Sequence, residues 1–591
     1  MAVNGSGIPG AQVSVVVIGY DDAAHIADAV RSALGQGPAV AEVIAVDDAS
    51  TDRTGPLLDR LATGEPRLRV VHRPVNSGGC GTPRNDGVRA ATAPYVMFLD
   101  SDDVLPHGAV PALLAAALEH EVPVAAGLCV RRELPLGRDT PWQPQLYRRA
   151  VVHDSPEDHP ALVRDTLCVN KLYARAFLTR HGIVFPDGRF PYEDFVFGAR
   201  LLAAGPRLAL VPDTVYVWHV RRNAARASLS LDRRHVENWQ ARLRAHGQGV
   251  AVLTEAGRTS LAHAARVKFL DHDLRMYVRE LPGHGPAYRR AWWRVTRDWL
   301  AGCEEADLRA ARAPARWIAR VVLASPAPRD LDRLAQLAAR PARLLPPYAE
   351  AGGEPVWAAD LPQAALDGLT GPGAKPARRL PVTVDATLLP GPGLRAGLRL
   401  RVHEIYGRLA AANPHTADVE LRLRDGAAVV EHSVPLARDG ACWRAALDLD
   451  LGQLAVHGHR DGPDRRARAP QAWDVRVRIH CTHGGVLRTA ARAVDVRTRP
   501  CVRFGLRCGV LLAQPCATGA GSLALRLAPG VRCGAGVVLR RVRRMLVRRL
   551  PARRPAAAGP RPAVRLVPVR LPLARLLSAV LRAPWSRRDD A

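Results

Sequence analysis

The first hundred residues alternate between short apolar runs and segments with helical periodicity, and this alternation limits the fold more than any other feature. A helical pattern over residues 23–34 follows the first apolar run, and similar patterns follow the second and third. Strands that alternate with helices form parallel sheets joined by right-handed crossovers. The sequence therefore predicts an α/β domain whose strands are the apolar runs 13–18, 42–46, 68–72 and 95–99.

Polar side chains come directly after each predicted strand. In parallel sheets, ligands bind beyond the carboxyl ends of the strands, where these loops converge. The last loop begins with the acidic sequence LDSDD at residues 99–103. Carboxylates are preferred ligands of Mg²⁺ and Mn²⁺, although acids at such a junction can also simply cap a turn. The polar residues together predict a binding site formed by Asp21, Asp48, Asn76, Asp100 and Asp102.

Four segments in a fixed order carry a family resemblance. The segments VSVVVIGYDD, VIAVDDASTDRT, NSGGCGTPRNDGV and YVMFLDSDD resemble the nucleotide-binding half of a family 2 glycosyltransferase with a Rossmann-like GT-A fold. NKLY, GIVFP, YED and YVW follow as the second half, so the resemblance is strong over residues 12 to about 225, and it continues more weakly to about residue 500. Within the family, NSGG and PRN are most similar to wall-teichoic-acid enzymes that transfer N-acetylglucosamine to poly(ribitol phosphate).

The resemblance implies how the donor nucleotide binds. Tyr20 would stack against uracil, and Asp48 would accept a hydrogen bond from the imide N–H of the base. Asn76 and Arg84 would contact the nucleotide, and the fixed charge and forked donors of Arg84 suit a diphosphate. Asp100 would lie near the ribose or a metal-bound water. The nucleotide-sugar site would be completed by Ile18 and Arg222.

The resemblance also implies the chemistry. Asp102 matches the direct ligand of Mn²⁺ or Mg²⁺ in the DXD motif, and such an ion neutralises a diphosphate leaving group. Asp194 matches the general base that deprotonates the acceptor hydroxyl. The implied reaction is a direct displacement with inversion, from a UDP-sugar donor to an anionic cell-wall or surface polymer such as teichoic acid.

Several residues depart from the family pattern. Ile18, Gly19 and Asp21 replace the usual residues around the stacking tyrosine, and the loop that contains Arg222 lacks the expected acid and glycine. Taken singly, Tyr20 could be a turn aromatic, Asp48 a helix cap and Asp194 a surface acid. The alternatives are a glycosyltransferase for capsule or lipid-linked glycan, and a degenerate, non-catalytic module that binds nucleotide-sugar or polymer.

The charge of the chain does not by itself indicate a nucleic-acid partner. The formal net charge is +28, but only three of the 84 basic residues are lysine, which indicates a compositional bias toward arginine. The sequence contains no zinc finger, aromatic RNP-like strand or basic heptad helix, so we expect no nucleic-acid binding. The sequence predicts no signal peptide and no membrane span, so we expect a cytoplasmic protein.

The pattern changes along the chain. Residues 1–11 are expected to be flexible, 12–225 to form the GT-A domain and 226–350 a helical linker domain. Residues 351–380 are rich in glycine and proline, and 381–500 alternate apolar with charged residues. This period of two predicts an antiparallel β-sandwich, for which the resemblance implies immunoglobulin-like modules that support a homo-oligomer.

The last predicted segment is a basic tail over residues 501–591. Residues 540–588 contain fifteen arginines, several prolines and no acidic residue. Such a segment could contact the anionic inner face of the plasma membrane, or it could be disordered. The arginine-bearing faces of the preceding strands could bind a polyphosphate acceptor, although such faces are more often only solvated.

Overall fold

The computed structural model describes residues 12–134, 137–221, 232–424, 426–458, 470–495, 501–505, 509–530 and 533–534. The chain begins with a nine-stranded mixed sheet. Its strands are β1 (Val13–Gly19), β2 (Val40–Asp47), β3 (Leu68–His72), β4 (Tyr95–Asp100), β5 (Val124–Leu134), β6 (Arg138–Trp142), β7 (Val151–His153), β8 (Lys171–Ala174) and β9 (Leu208–Arg221). The helices around it are α1 (Ile26–Leu34), α2 (Thr54–Thr63), α3 (Gly81–Ala90), α4 (Ala109–Glu119), α5 (Arg175–Arg180) and α6 (Glu193–Ala203).

The strand order is β3-β2-β1-β4-β8-β5-β9-β7, with β6 paired to β5. Strand β1 is parallel to both β2 and β4, and β8 runs antiparallel to β4. The predicted α/β class of this domain is therefore confirmed. In the register, Ile18 lies opposite Val46 and Asp100, so the loops after β1, β2 and β4 begin at the same level.

Close packing fixes α3 against this sheet and against the segment before α6. A Cβ atom on Gly87 would lie 2.2 Å from Val16 of β1, and one on Gly81 would lie 2.3 Å from the carbonyl oxygen of Pro186. Neither distance leaves room for a side chain. The two glycines therefore allow α3 to pack closely against β1 on one side and against the segment before α6 on the other.

A helical segment follows and surrounds buried tryptophans, among them Trp239, Trp292 and Trp317. It contains a π-helix, Phe269–Leu274, between two α-helices. The predicted apolar stripe lies in the core, where Leu270, Leu274 and Val278 are buried. The helices are α7 (Val236–Glu255), α8 (Thr259–Lys268), α9 (Arg275–Glu280), α10 (Pro286–Ala301), α11 (Glu305–Ala310), α12 (Ala313–Ala324) and α13 (Leu331–Ala338).

The segment predicted as a glycine- and proline-rich linker is instead packed. Strands β10 (Ala349–Ala351) and β11 (Glu354–Val356) form a hairpin. Trp357, Leu361 and Leu366 then belong to the same hydrophobic core as the tryptophans of the helical segment. Burial of a large apolar side chain stabilises the folded state by about 1.5–3 kcal/mol. The burial of these residues therefore keeps the segment packed, although the glycines and prolines around them favour turns.

Two further sheets form the C-terminal part of the described chain and share this core. Their orders are β16-β17-β13-β12-β20 and β15-β14-β18-β23-β22-β21, with β19 paired to β18. All their pairings are antiparallel except β12 with β20, which agrees with the predicted β-rich domain. The strands are β12 (Val384–Pro390), β13 (Arg395–His403), β14 (Pro414–Leu423), β15 (Val429–Pro435), β16 (Ala437–Asp439), β17 (Cys442–Asp450), β18 (Gln471–Cys481), β19 (Val486–Ala490), β20 (Arg492–Ala493), β21 (Cys501–Gly505), β22 (Gly509–Ala517) and β23 (Leu523–Pro529), and two short helices are α14 (Arg408–Ala412) and α15 (Leu451–His457).

The boundary predicted at residue 500 is wrong, because β21, β22 and β23 belong to the second sheet. Alternating apolar residues such as Leu523, Leu525 and Leu527 are buried there. Residues 535–591, which carry most of the predicted basic tail, lie outside the described residues, as do residues 1–11. In the part of the chain that the structure covers, no helix is long and apolar enough to cross a membrane.

Candidate active site

The carboxyl edge of β1, β2 and β4 is held together by side chains of the loops themselves. Asp21, which has a positive φ of 49°, accepts a hydrogen bond of 2.7 Å from the Thr51 amide. Asp22 accepts one of 2.7 Å from the hydroxyl of Ser101. The first loop is thereby tied to the loops after β2 and β4, and the prediction that these polar residues converge on one edge agrees with the geometry.

Ile18 and Tyr20 occupy different positions on this edge. The side chain of Ile18 is buried within β1, and its carbonyl oxygen accepts the Ser101 amide at 3.0 Å. Ile18 therefore anchors the start of the acidic loop through its backbone, while its side chain packs in the core, and its predicted contact with a nucleotide-sugar stays a prediction. Tyr20 follows β1 directly and is partly buried at the edge, so it remains the candidate for stacking on a base.

Asp48 is buried and is surrounded by donors from the loop after β3. Its carboxylate accepts hydrogen bonds from Arg73 at 2.6 Å, from the Asn76 amide group at 3.0 Å and from the Ser77 hydroxyl at 2.8 Å. Asp48 and Asn76 were both predicted to contact the nucleotide, and the structure brings them together. In this arrangement their first role is to order the loop, because each oxygen of the carboxylate already has protein donors.

The three acids of the LDSDD segment lie in different surroundings. Asp103 is buried, and its two oxygens accept hydrogen bonds of 2.7 Å from the Tyr216 hydroxyl and from the His219 amide. The side chain of Asp102 is 46% exposed and that of Asp100 is 34% exposed. The structure therefore separates a structural acid, Asp103, from two acids that can reach a ligand.

The surroundings of Asp102 suit a bound cation. Burial, together with the charges of Asp100 and Asp22, raises the pKa of the Asp102 carboxyl to about 6. A cation would relieve this repulsion between carboxylates. Among the described residues, no group of three or more His, Cys, Asp or Glu side chains forms a metal-binding cluster. A single carboxylate still fits Mg²⁺ or Mn²⁺, because such ions often keep waters and bind substrate phosphates through one or two protein ligands.

Arg84 differs from the prediction that it contacts a diphosphate. Its side chain is only 3% exposed and donates hydrogen bonds to Asp100 at 2.6 Å and to Glu193 at 2.7 Å. A third carboxylate, that of Asp194, lies 3.4 Å away. Because its donors face these acids, Arg84 is better described as the residue that holds the acidic loop against the start of α6.

Asp194 lies in the first turn of α6, which begins after Tyr192 in a left-handed conformation with φ of 66°. Its side chain is 22% exposed. Burial raises the pKa of the Asp194 carboxyl, while Arg84 and hydrogen bonds from Cys168 act in the opposite direction. A partly exposed carboxylate can reach an acceptor hydroxyl, and a raised pKa makes it a stronger base than an ordinary carboxylate.

Two residues of β9 contact the acidic loop and were not predicted. Arg221 donates a hydrogen bond of 2.7 Å to the carbonyl oxygen of Asp102 and lies 3.4 Å from its carboxylate. His219 Nδ1 lies 3.1 Å from the same carbonyl oxygen. Their spacing of two on a strand places both on one face, which is the signal that could have found them. The predicted Arg222 lies outside the described residues.

The N-terminal part of the chain matches the family model named "Glycosyl transferase family 2" over residues 14–161. The succinoglycan biosynthesis protein ExoO of Rhizobium meliloti is 29% identical over 37% of this chain and 64% of its own length. The poly(ribitol-phosphate) beta-N-acetylglucosaminyltransferase TarS of Staphylococcus aureus is 27% identical over 36% of each chain. The poly(ribitol-phosphate) beta-glucosyltransferase of Bacillus spizizenii is 26% identical over 37% of this chain and 34% of its own.

These alignments span between 34% and 64% of the relatives' lengths. Among solved structures, the crystal structure of S. aureus TarS is similar over 88% of this chain and 86% of that chain, with a TM-score of 0.48 and 17% identity. By its family-model match the chain is similar to family 2 glycosyltransferases over residues 14–161, and the alignments to these three relatives cover 36–37% of it.

Proposed function

We propose that this chain is a glycosyltransferase, on the premise that residues 14–161 match the family 2 model. The observation that carries the proposal is the arrangement around Arg84. Its guanidinium contacts both Asp100 of the acidic loop and Asp194 of α6. The candidate donor-binding loop and the candidate general base are therefore contacted by the same buried side chain.

The donor in this proposal is a UDP-sugar, bound at the carboxyl edge of β1, β2 and β4. Tyr20 lies where a base would stack, and the loop ordered by Asp48 and Asn76 closes one side. Asp102 would hold Mn²⁺ or Mg²⁺, and this ion when bound would neutralise the diphosphate leaving group. Arg221 lies against the same loop, where a guanidinium would also favour a diphosphate.

Asp194 acts as the general base in this proposal. It would accept the proton of the acceptor hydroxyl while that oxygen attacks the anomeric carbon and the nucleoside diphosphate leaves from the opposite face. A single displacement of this kind inverts the configuration, so an α-linked donor would give a β-linked product. Arg84 contributes by fixing the Asp194 carboxylate and by opposing the rise in its pKa.

The proposed acceptor is an anionic cell-wall or surface polymer such as teichoic acid. Two relatives are named as poly(ribitol-phosphate) transferases, one for N-acetylglucosamine and one for glucose. Strand β13 exposes Arg395, Arg399 and Arg401, which could contact phosphate groups. A cytoplasmic location, a peripheral membrane contact and a homo-oligomer through the β-rich domain stay predictions.

A second candidate acceptor is a capsule or lipid-linked glycan, because ExoO is named for succinoglycan biosynthesis. The third candidate is a non-catalytic module, which the atypical Ile18, Gly19 and Asp21 leave open. These candidates differ in whether donor is turned over and in which acceptor accelerates turnover.

The test is a screen for release of nucleoside diphosphate from a panel of sugar nucleotides with Mn²⁺, first without acceptor and then with poly(ribitol phosphate) or a neutral glycan. We expect slow release from one UDP-sugar and acceleration by poly(ribitol phosphate). Acceleration by the neutral glycan alone would favour the second candidate. UDP binding without any turnover would favour the non-catalytic module.

A further inference from the structure

A group of basic side chains lies on the helical segment, apart from the site described above. We call it the arginine cluster, and it consists of Arg275, Arg279, Arg312 and Arg340. It forms around the end of the π-helix Phe269–Leu274 and the start of α9. Among the described residues, the carboxylate of Asp271 faces it.

Hydrogen bonds fix the positions of these residues. The Arg312 amide donates to Asp271 Oδ1 at 2.8 Å, and the Arg312 guanidinium lies 3.6 Å from Oδ2. Arg275 donates to the carbonyl oxygen of Ala339 at 2.8 Å, so Arg340 is the next residue along the chain from that contact. Arg279 follows Arg275 by four residues on α9, which places both on one face of the helix.

The cluster has too few acceptors for its positive charge. Arg275 is 7% exposed, its described partners are carbonyl oxygens, and its buried Nε has no hydrogen-bond partner among the described residues. Within the same part of the chain, Arg279 and Arg340 form no ion pair. Burial, followed by the charges of Arg340, Arg312 and Arg279, lowers the pKa of Arg275 to about 10.

Arg275 is a buried guanidinium that lies among the like charges of Arg279, Arg312 and Arg340, and such a group is unfavourable unless an anion compensates it. A phosphate group meets this need because each of its oxygens can accept from a separate guanidinium, and arginine binds phosphate through paired donors. The exposed side chains of Arg312 and Arg340 leave the cluster open to solvent. These features describe a receptive site for a phosphate rather than a closed structural network.

The cluster is also connected to the candidate active site through the π-helix. His272, next to Asp271, packs against Trp142 of the N-terminal α/β domain, with 6.2 Å between the two ring centroids. Asp273 lies 2.7 Å from the Nε of Arg242, whose guanidinium covers the ring of Tyr192 at 4.5 Å, directly before α6. Isolated π-turns within helices are frequent at functional sites.

We propose that the arginine cluster binds a phosphate group of a phosphodiester-linked acceptor polymer and thereby holds the polymer beside the catalytic domain. This inference rests on the proposed glycosyltransferase function and adds a second point of contact outside the donor site. The recognised chemistry is the phosphate itself, so inorganic phosphate is the minimal probe. A poly(alditol phosphate) chain is the assigned source, because the cluster offers guanidinium groups that recognise phosphate and two relatives are named as poly(ribitol-phosphate) transferases.

The experiment compares two double variants of the full chain. In R279Q/R340Q, two arginines of the cluster lose their charge. In the matched control R290Q/R294Q, two exposed arginines on α10 of the same helical segment lose theirs, and neither forms an ion pair within the described ranges. Thermal unfolding of both variants checks folding, and removal of like charges should leave the midpoint of R279Q/R340Q unchanged or higher.

Binding of a poly(ribitol phosphate) oligomer is then measured by titration calorimetry at two salt concentrations, with uncharged dextran as a reference glycan. We expect the dissociation constant of the oligomer to rise about 10–100-fold in R279Q/R340Q, because the loss of hydrogen bonds to a charged group typically weakens binding by about this factor. In the control, the dissociation constant should change less than about twofold. The salt dependence should also become shallower in R279Q/R340Q.

Equal affinity of both variants for the oligomer would overturn the inference, as would equal binding of dextran. If inorganic phosphate binds the wild-type protein as tightly as the oligomer does, the polymer is not the ligand and the assignment fails. Tighter binding of a single-stranded DNA oligonucleotide of equal charge would likewise overturn it. UDP affinity of the wild-type protein is measured in parallel. A failure of the wild-type protein to bind UDP would contradict the proposed function. Intact UDP binding, combined with an oligomer affinity that R279Q/R340Q leaves unchanged, would contradict this inference alone.

Discussion

Arg84 Nη2 donates a hydrogen bond of 2.6 Å to Asp100 Oδ1, which joins helix α3 to the end of strand β4. The same guanidinium contacts Glu193 and Asp194 at the start of α6. Three carboxylates therefore share one buried cation. The arrangement couples the stability of the domain to the ionisation of the candidate base.

Replacing Arg84 should reduce stability and change the pH dependence of activity. Arg84→Gln leaves three carboxylates without their cation, and removal of one partner from a buried ion pair costs about 3–5 kcal/mol. Urea unfolding measures this loss, and Arg84→Lys should lose less because it keeps the charge. Since Arg84 lowers the pKa of Asp194, the acidic limb of the rate profile should move to higher pH in Arg84→Gln. An unmoved limb would show that Arg84 does not act on the base.

Asp194→Asn should suppress transfer while UDP still binds. Loss of a general base typically lowers the rate by about 10²–10⁴-fold, and the base contacts acceptor rather than donor. Sugar transfer to polymer and UDP affinity are measured on the same preparation. Glu193→Gln is the matched control, because Glu193 also contacts Arg84. Equal losses of UDP affinity and transfer in Asp194→Asn would make Asp194 a structural residue.

Asp102→Asn should abolish the effect of Mn²⁺ on UDP binding and stabilise the metal-free protein. The pKa of Asp102 is raised from 3.8 to about 6, so ionisation disfavours the folded state. This penalty is fully present above pH 6 and absent below about 3.8. We therefore expect the variant to unfold at a higher temperature than wild type at pH 7, with the difference lost toward pH 4.

The same raised pKa predicts a pH dependence in the wild-type protein. Mn²⁺-dependent UDP binding should weaken as the pH falls through about 6, because a protonated carboxyl no longer binds the ion. Asp103→Asn provides the contrast, since Asp103 is enclosed by Tyr216 and His219 and its loss should affect folding instead. Intact Mn²⁺ dependence in Asp102→Asn would refute the metal assignment.

Asp273→Asn should destabilise the helical segment. Asp273 is fully buried, and it faces Arg242 at 2.7 Å and Lys268 at 3.0 Å. These cations hold the pKa of the Asp273 carboxyl well below its usual value, although burial opposes them. The variant leaves two buried cations unpaired, so a loss of about 3–5 kcal/mol is expected in chemical unfolding. Asp298→Asn on the exposed face of α10 is the control, and an equal effect there would contradict the prediction.

The sequence alone determined the order of the N-terminal strands and helices and the edge at which the polar loops meet. Both follow from local periodicity, since an apolar run and the polar residues directly after it are adjacent in the chain. The alternation of apolar and charged residues after residue 380 similarly predicted the strands of the C-terminal sheets. In each case the residues that form the pattern lie in the same strand or helix, or in the loop directly after it.

Only the tertiary structure decided what the individual polar residues do. Arg84 and Glu193 are separated by 109 positions, and no local pattern indicates that they form an ion pair. The sequence LDSDD likewise does not show that Asp103 is enclosed by β9 whereas Asp102 is half exposed. Burial and charge partners are set by contacts between distant segments, and these contacts determine whether a carboxylate or a guanidinium supports the fold or meets a ligand.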